Sequence, residues 1–224
     1  AIDSGGTFDM VSGSQVGIAG DTQIFGSLLA SGFGGTVDPN FDLTLGDGLD
    51  DSVIVASSGS LGLSGDSRTM VSGNMELTSG LGYEGGIVTS EQAHFETGLE
   101  LSLTSQNALA NFGGASVAIL GTDATATSAL RIEGGELMVR DQALVTADKA
   151  VNVSGGTLAI SGTGAGATFL SNDALTFSGS GVLNMSGQST LEALQGFTVS
   201  SLGSFVDGND ALITGGPITI TNGG

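Results

Sequence analysis

The chain has no cysteine and no tryptophan, and among its 224 residues only two prolines, one histidine, one tyrosine and four basic side chains. Each shortage excludes something. Without cysteine there is no disulfide, no thiol nucleophile and no thiolate-bound metal. With His94 as the single histidine, a multi-histidine zinc site is ruled out. A Ser-His-Asp triad would have to use that one imidazole, and no Gly-x-Ser-x-Gly elbow accompanies it, so His94 reads as a polar turn residue. The four cations are Arg68, Arg131, Arg140 and Lys149, set against 23 acidic residues for a formal net charge of -19. Nucleic-acid binding needs a basic surface and is excluded, and anionic membrane surfaces are disfavoured for the same reason. No apolar run approaches the roughly 18 residues of a membrane-crossing helix. Scarce proline and the lack of a Gly-X-Y period exclude collagen.

What is abundant is glycine, 40 residues, together with 39% hydrophobic residues. The hydrophobic residues alternate in an orderly way, which argues against the disorder that a Gly/Ser-rich acidic chain otherwise suggests. From Leu130 onward one short phrase returns. Leu130-Arg131-Ile132 leads through Glu133-Gly134-Gly135 to Leu137 and Val139, and Val151-Asn152-Val153 leads through Ser154-Gly155-Gly156 to Leu158 and Ile160. Leu175-Thr176-Phe177, Phe197-Thr198-Val199 and Ile218-Thr219-Ile220 open the next three phrases, at spacings of 21, 24, 22 and 21 residues. Apolar residues two apart bury one strand face and wet the other. Glycines between the strand pieces permit the turns. One phrase cannot bury its apolar face alone, but stacked phrases bury a continuous column. The expected fold is all-β, a single-stranded parallel β-helix (β-solenoid) of about 20–24 residues per coil. At about 4.8 Å per coil, roughly eight to ten coils make a rod of about 40–50 Å.

One solenoid domain over residues 1–224 is expected, with 1–128 forming less regular coils and 129–224 regular ones. In the first part Thr7-Phe8-Asp9-Met10-Val11, Phe41-Asp42-Leu43-Thr44-Leu45 and Leu99-Glu100-Leu101-Ser102-Leu103 read as strands, and Asp123–Ser128 as a longer turn. Single helical turns are expected at Gln106–Phe112 and Ser189–Leu194, and a short helix over Thr89–Thr97 capped by Ser90.

The most acidic window runs from Asp38 to Asp51. Gly46-Asp47-Gly48-Leu49-Asp50-Asp51 packs three carboxylates into a glycine-rich turn, with Asp38 and Asp42 nearby. Calcium takes six to eight oxygen ligands, so Asp47, Asp50 and Asp51, with Asp38 and Asp42 as weaker additions, form the candidate calcium site. The window departs from the EF-hand loop and from the tandem calcium-binding nonapeptide. Arg131, Arg140 and Asp141 invite comparison with β-helical polysaccharide lyases and hydrolases. The lack of tryptophan, the single Tyr83 and the few cations argue against an enzyme.

The stretch Val151–Gly162, Val-x-Val-Ser-Gly-Gly-Thr-Leu-x-Ile-Ser-Gly, resembles the repeats of bacterial surface β-helices, the autotransporter passengers and filamentous-haemagglutinin-like adhesins. The resemblance covers about residues 129–224 well and the first half loosely. It implies an extracellular or cell-surface rod with a structural or adhesive role and carries no catalytic residue with it. The function expected is therefore a subunit of a cell-surface filament or matrix. Its expected partners are further copies of itself, head to tail through Ile218 and Ile220 at one end and Phe8 and Val11 at the other, and a surface polysaccharide or neighbouring cell. The alternatives are a polysaccharide-active enzyme and a virion fibre segment.

Overall fold

The computed structural model describes residues 1–3, 6–10, 15–31, 43–56, 59–78, 86–89, 92–200, 204–207 and 210–220. Strands follow one another along the chain, and every paired strand runs parallel to its neighbour. The fold is a parallel β-solenoid with three faces. The first face begins with Thr7–Met10, the second with Val16–Ile18 and the third with Thr22–Ile24. The chain visits the faces in that order in each coil. The third face is a 9-stranded sheet ending in Ile218–Ile220. The first two faces merge into one 16-stranded sheet, because Thr157–Ser171 and Val182–Ala193 run through the corner as single bent strands.

The repeat seen in sequence is the repeat in space. Leu130 pairs in register with Val151, Val151 with Leu175, Leu175 with Phe197 and Phe197 with Ile218. The second inward column stacks Ile132, Val153, Phe177, Val199 and Ile220 in the same way. Except for the last rung, these side chains are buried and share one continuous core. Fully burying a Leu, Ile or Phe contributes about 1.5–3 kcal/mol, so each coil depends on the coils above and below it for most of its stability.

Three of the four early coils are longer. Third-face positions Thr22, Val53, Met75, Leu101 and Leu130 are in register although 31, 22, 26 and 29 residues separate them. In the 29-residue coil the excess lies in the bulge from Gly121 to Thr127 between strands Val117–Leu120 and Ser128–Ile132, at the place of the expected longer turn.

The expected helical turns are strands and tight turns instead. Leu109–Phe112 and Val182–Ala193 are strands, and the described parts of 89–97 belong to Gly86–Thr89, a turn, and His94–Thr97. The reason is a period of two inside each segment. Ala108, Ala110 and Phe112 point inward, as do Ser189, Leu191 and Ala193. A helix would have thrown half of each set into water. The proposed cap Ser90 lies outside the described residues.

Candidate functional site

The outward centre of the third face is built from the middle residues of short strands. Ile54, Glu76, Ser102 and Arg131 lie side by side in register. They line a groove of about 320 Å³ with Asn74 and Glu100. A second hollow of about 340 Å³ adjoins it beneath Thr125–Ser128, so the 29-residue coil supplies a wall. Arg131 projects outward, as its place between Leu130 and Ile132 requires. Its Nε donates to Glu100 Oε1 and its Nη1 to Glu133 Oε1, both at 2.8 Å. The hydrogen bond and charge of Glu100, with Glu133 behind them, raise the Arg131 guanidinium above its usual value against a smaller effect of burial. Thr104 donates its hydroxyl to Glu76 Oε1 at 2.9 Å, and the Glu100 N–H donates to Asn74 Oδ1 at 3.2 Å.

This wiring decides what the groove can do. Two carboxylates, Glu100 and Glu133, share the one guanidinium and a third, Glu76, lines the groove beside them, leaving a negative surplus. An anionic sugar chain would be repelled, and the one cation is already engaged. The other members of the lyase-like trio sit elsewhere. Arg140 Nε donates to Asn111 Oδ1 at 2.8 Å at the far end of the first-face strand Glu136–Asp141. Asp141 Oδ2 accepts the Gly114 N–H at 3.2 Å. The structure thus separates Arg131 from Arg140 and Asp141, and both arginines tie coils together.

The acidic turn lies where the second face bends into the third. Asp51 Oδ2 accepts the N–H groups of Asp47 and Gly48 at 2.8 and 2.9 Å. Asp47 Oδ1 accepts the Gly20 N–H of the preceding coil at 3.3 Å. Asp21 Oδ1 accepts both the N–H and the hydroxyl of Ser52, at 2.8 and 2.9 Å. These carboxylates satisfy turn amides and stitch adjacent coils. Among the described residues no group of three or more His, Cys, Asp or Glu is arranged to hold a metal ion. Asp50 lies in the same turn, while Asp38 and Asp42 lie outside the described residues.

The two amide donors pull the Asp51 carboxyl below its ordinary value. A carboxyl lowered on folding contributes stability above its unfolded pKa and loses it as pH falls through the folded one. The turn is therefore expected to stay closed through neutral and mildly acid pH and to open only below the ordinary carboxylate range. Hydrogen exchange at the Asp47 and Gly48 amides reads this directly. In Asp51→Ala both amides should lose their protection at neutral pH and exchange near the intrinsic rate of an open turn; unchanged protection there would mean that Asp51 does not hold the turn.

His94 contacts Glu96 through Nε2 on the outward side of the second face, an ion pair when the ring is protonated. Its strand, His94–Thr97, pairs on both sides, so it is a surface residue of the sheet.

At the edges of the stack, Ile218 and Ile220 are 58% and 62% exposed although they continue two columns buried in the coils before them. Phe8 is 41% exposed at the other edge, on the first face, in register with Leu28. Val11 lies outside the described residues. The column that ends in Ile220 begins at Ile2, which forms an isolated parallel bridge with Ile24. The Ile2 N–H donates to Gln23 O at 2.9 Å and its carbonyl accepts the Phe25 N–H at 2.8 Å. Ile2 is an edge residue that sequence reasoning missed, because a lone apolar residue without alternating neighbours gives no strand signal. Glu76 and Glu100 were each legible as outward positions, but their meeting at Arg131 depends on coil lengths that differ.

No protein-family model, curated protein or solved structure matches the chain.

Proposed function

We propose that this is a non-catalytic, extracellular structural or adhesive β-solenoid whose outer rungs add further parallel rungs, making it a subunit of a surface filament or matrix. One observation carries the reading. Ile218 and Ile220 stand in register on Phe197 and Val199 yet are more than half exposed. Covering such a pair contributes about 1.5–3 kcal/mol per side chain, and the open strand edge supplies a ladder of backbone donors and acceptors for the cover. The cover that fits both is another parallel rung. Either further chain or a second copy can present one; a second copy does so with its Ile2–Ile24 edge, which among the described residues begins the column that continues to Ile220. A head-to-tail contact of this kind does not close and grows into a filament. The negative surplus of the third-face groove supports a structural role over turnover of acidic polysaccharide.

Electron microscopy and sedimentation of the purified chain over a range of concentrations test the reading. Rods lengthening with concentration are expected, with the double change Ile218→Asp and Ile220→Asp abolishing growth. Strictly monomeric particles at every concentration would end it. Like charges oppose end-to-end contact at -19, so added salt should promote growth by screening. Calcium is proposed to promote it as well, and calorimetric titration with no heat, together with growth unaffected by chelator, removes calcium from the account. A trimeric mass in the same sedimentation runs supports a virion fibre instead. Release of reducing or unsaturated ends from acidic polysaccharide supports an enzyme.

A further inference from the structure

The three outer faces differ in kind. Along the third, the outward row after Ile54 is polar, from Glu76 through Ser102, Arg131 and Asn152 to Thr176. Along the second, the outward positions turn mostly apolar in mid-rod. They are Val117 and Ile119 on one strand, Leu144 and Thr146 on the next, and Thr168 and Leu170 on the one after, with Leu144 37% exposed. Beneath them the inward positions of the same strands, Ala118, Val145 and Phe169, are fully buried. A parallel sheet that is apolar on both sides is normally covered on both sides.

Charge says what covers it. Arg68, one of only four cations in the chain, sits outward two strands before Val117–Leu120. Glu192 sits outward two strands after Leu144–Ala147. The two are thus placed symmetrically about the apolar centre. A two-fold axis lying between those central strands, along the strand direction, sets the Val117 strand of one copy against the Leu144 strand of the other. The same axis brings Arg68 of each copy over the other copy's Thr190, one outward position from Glu192 on the same strand, within reach of the long arginine side chain. The rung of the His94–Glu96 pair falls opposite that of Leu170, so no two like charges are opposed.

We propose that the outward face of the second sheet is a lateral, two-fold interface with a second copy of this chain, centred on Val117, Ile119, Leu144 and Leu170 and flanked by two Arg68–Glu192 pairs. The inference goes beyond the end-to-end contact and does not depend on it. Six strands at about 4.8 Å spacing and about 13 Å of strand length cover roughly 300 Å² per copy. A standard interface takes about 800 Å² per partner, so the association is weak and reversible, of the kind that bundles rods by repetition.

The test is sedimentation equilibrium of the full chain at moderate salt, with Ile218→Asp and Ile220→Asp present to block end growth. A reversible dimer is expected. Leu144→Asp should abolish it, and the milder Leu144→Ser should weaken it about tenfold if the aspartate variant folds poorly. Arg68→Glu and Glu192→Arg singly should each weaken it about tenfold, and the two together should restore it. A monomer under all conditions, a dimer indifferent to Leu144→Ser, or a double charge swap that restores nothing overturns the proposal. Because the end contacts are blocked throughout, none of these results bears on end-to-end growth.

Discussion

Alanine at Gly135 is expected to destabilise the protein by about 3–4 kcal/mol, the sum of a backbone strain and a broken inter-coil contact. Gly135 holds φ at +71°, and an added Cβ would stand 2.2 Å from the Ala108 carbonyl oxygen and 2.8 Å from that of Ser105. The conformation alone costs an L-residue about 1–2 kcal/mol. The contact adds more, because both oxygens are backbone and cannot swing aside. Ala108 O accepts the Glu136 N–H at 2.9 Å, so relieving the clash separates two coils at the rung that this bond holds. Two other glycines isolate the terms. Gly20 has φ +72°, and a Cβ added there would meet nothing within 4 Å, so its alanine variant should show the conformational cost alone. Gly17 has open space and no positive φ, and Gly17→Ala should change stability by less than about 0.5 kcal/mol. Urea unfolding of the three variants checks the order; equal losses at Gly17 and Gly135 would mean that turn geometry is not what demands the glycine.

Truncating Phe95 to alanine should cost about 3–5 kcal/mol. The ring is fully buried in mid-rod, where Thr69 and Ala118 lie on either side of it in its column. Neither neighbour is large enough to fill the void. Its partner is Phe112, with centroids 5.9 Å apart and planes tilted by 39°. Such a pair contributes about 0.5–1.5 kcal/mol beyond area burial, so Phe95→Ala and Phe112→Ala should couple by about that much in a double-mutant cycle. In a stack where each coil touches only its neighbours, the loss is expected to be local. Hydrogen exchange should quicken first at Arg68–Val71, His94–Thr97 and Val117–Leu120, the three strands paired through Phe95. Uniform quickening over all coils would instead indicate one cooperative unit.

Much of the solenoid was legible because its two determinants are local. Strand burial follows a period of two, and a phrase repeated every 21 to 24 residues put Leu130, Val151, Leu175, Phe197 and Ile218 into one column that the structure shows in register. The same local rule read Arg131 as outward. The helical turns failed where that rule was set aside. Ala108, Ala110 and Phe112 alternate as strictly as any strand, yet a helical turn was expected over Gln106–Phe112. In a solenoid the core is narrow enough that alanine is an ordinary inward residue, as Ala110, Ala118 and Ala147 show.

The candidate site was less legible because its parts come from coils of unequal length. Glu76, Glu100 and Arg131 converge across loops of 24 and 31 residues, and no fixed period brings them together. The acidic turn shows the opposite case. Its residues are adjacent in sequence, so their proximity was plain, yet which turn amides they accept depends on the path of the backbone. That path turns Asp51 toward Asp47 and Gly48.

By itself, then, the order of residues determined that the chain would wind into parallel, glycine-cornered rungs around a dry interior, since alternation and spacing act over a few residues at a time. The tertiary structure decided that each coil has three faces and that strands such as Thr157–Ser171 bend unbroken through a corner. It also decided which outward side chains share a surface. Those outcomes depend on the register between coils, and register is a property of the whole stack that no single stretch contains.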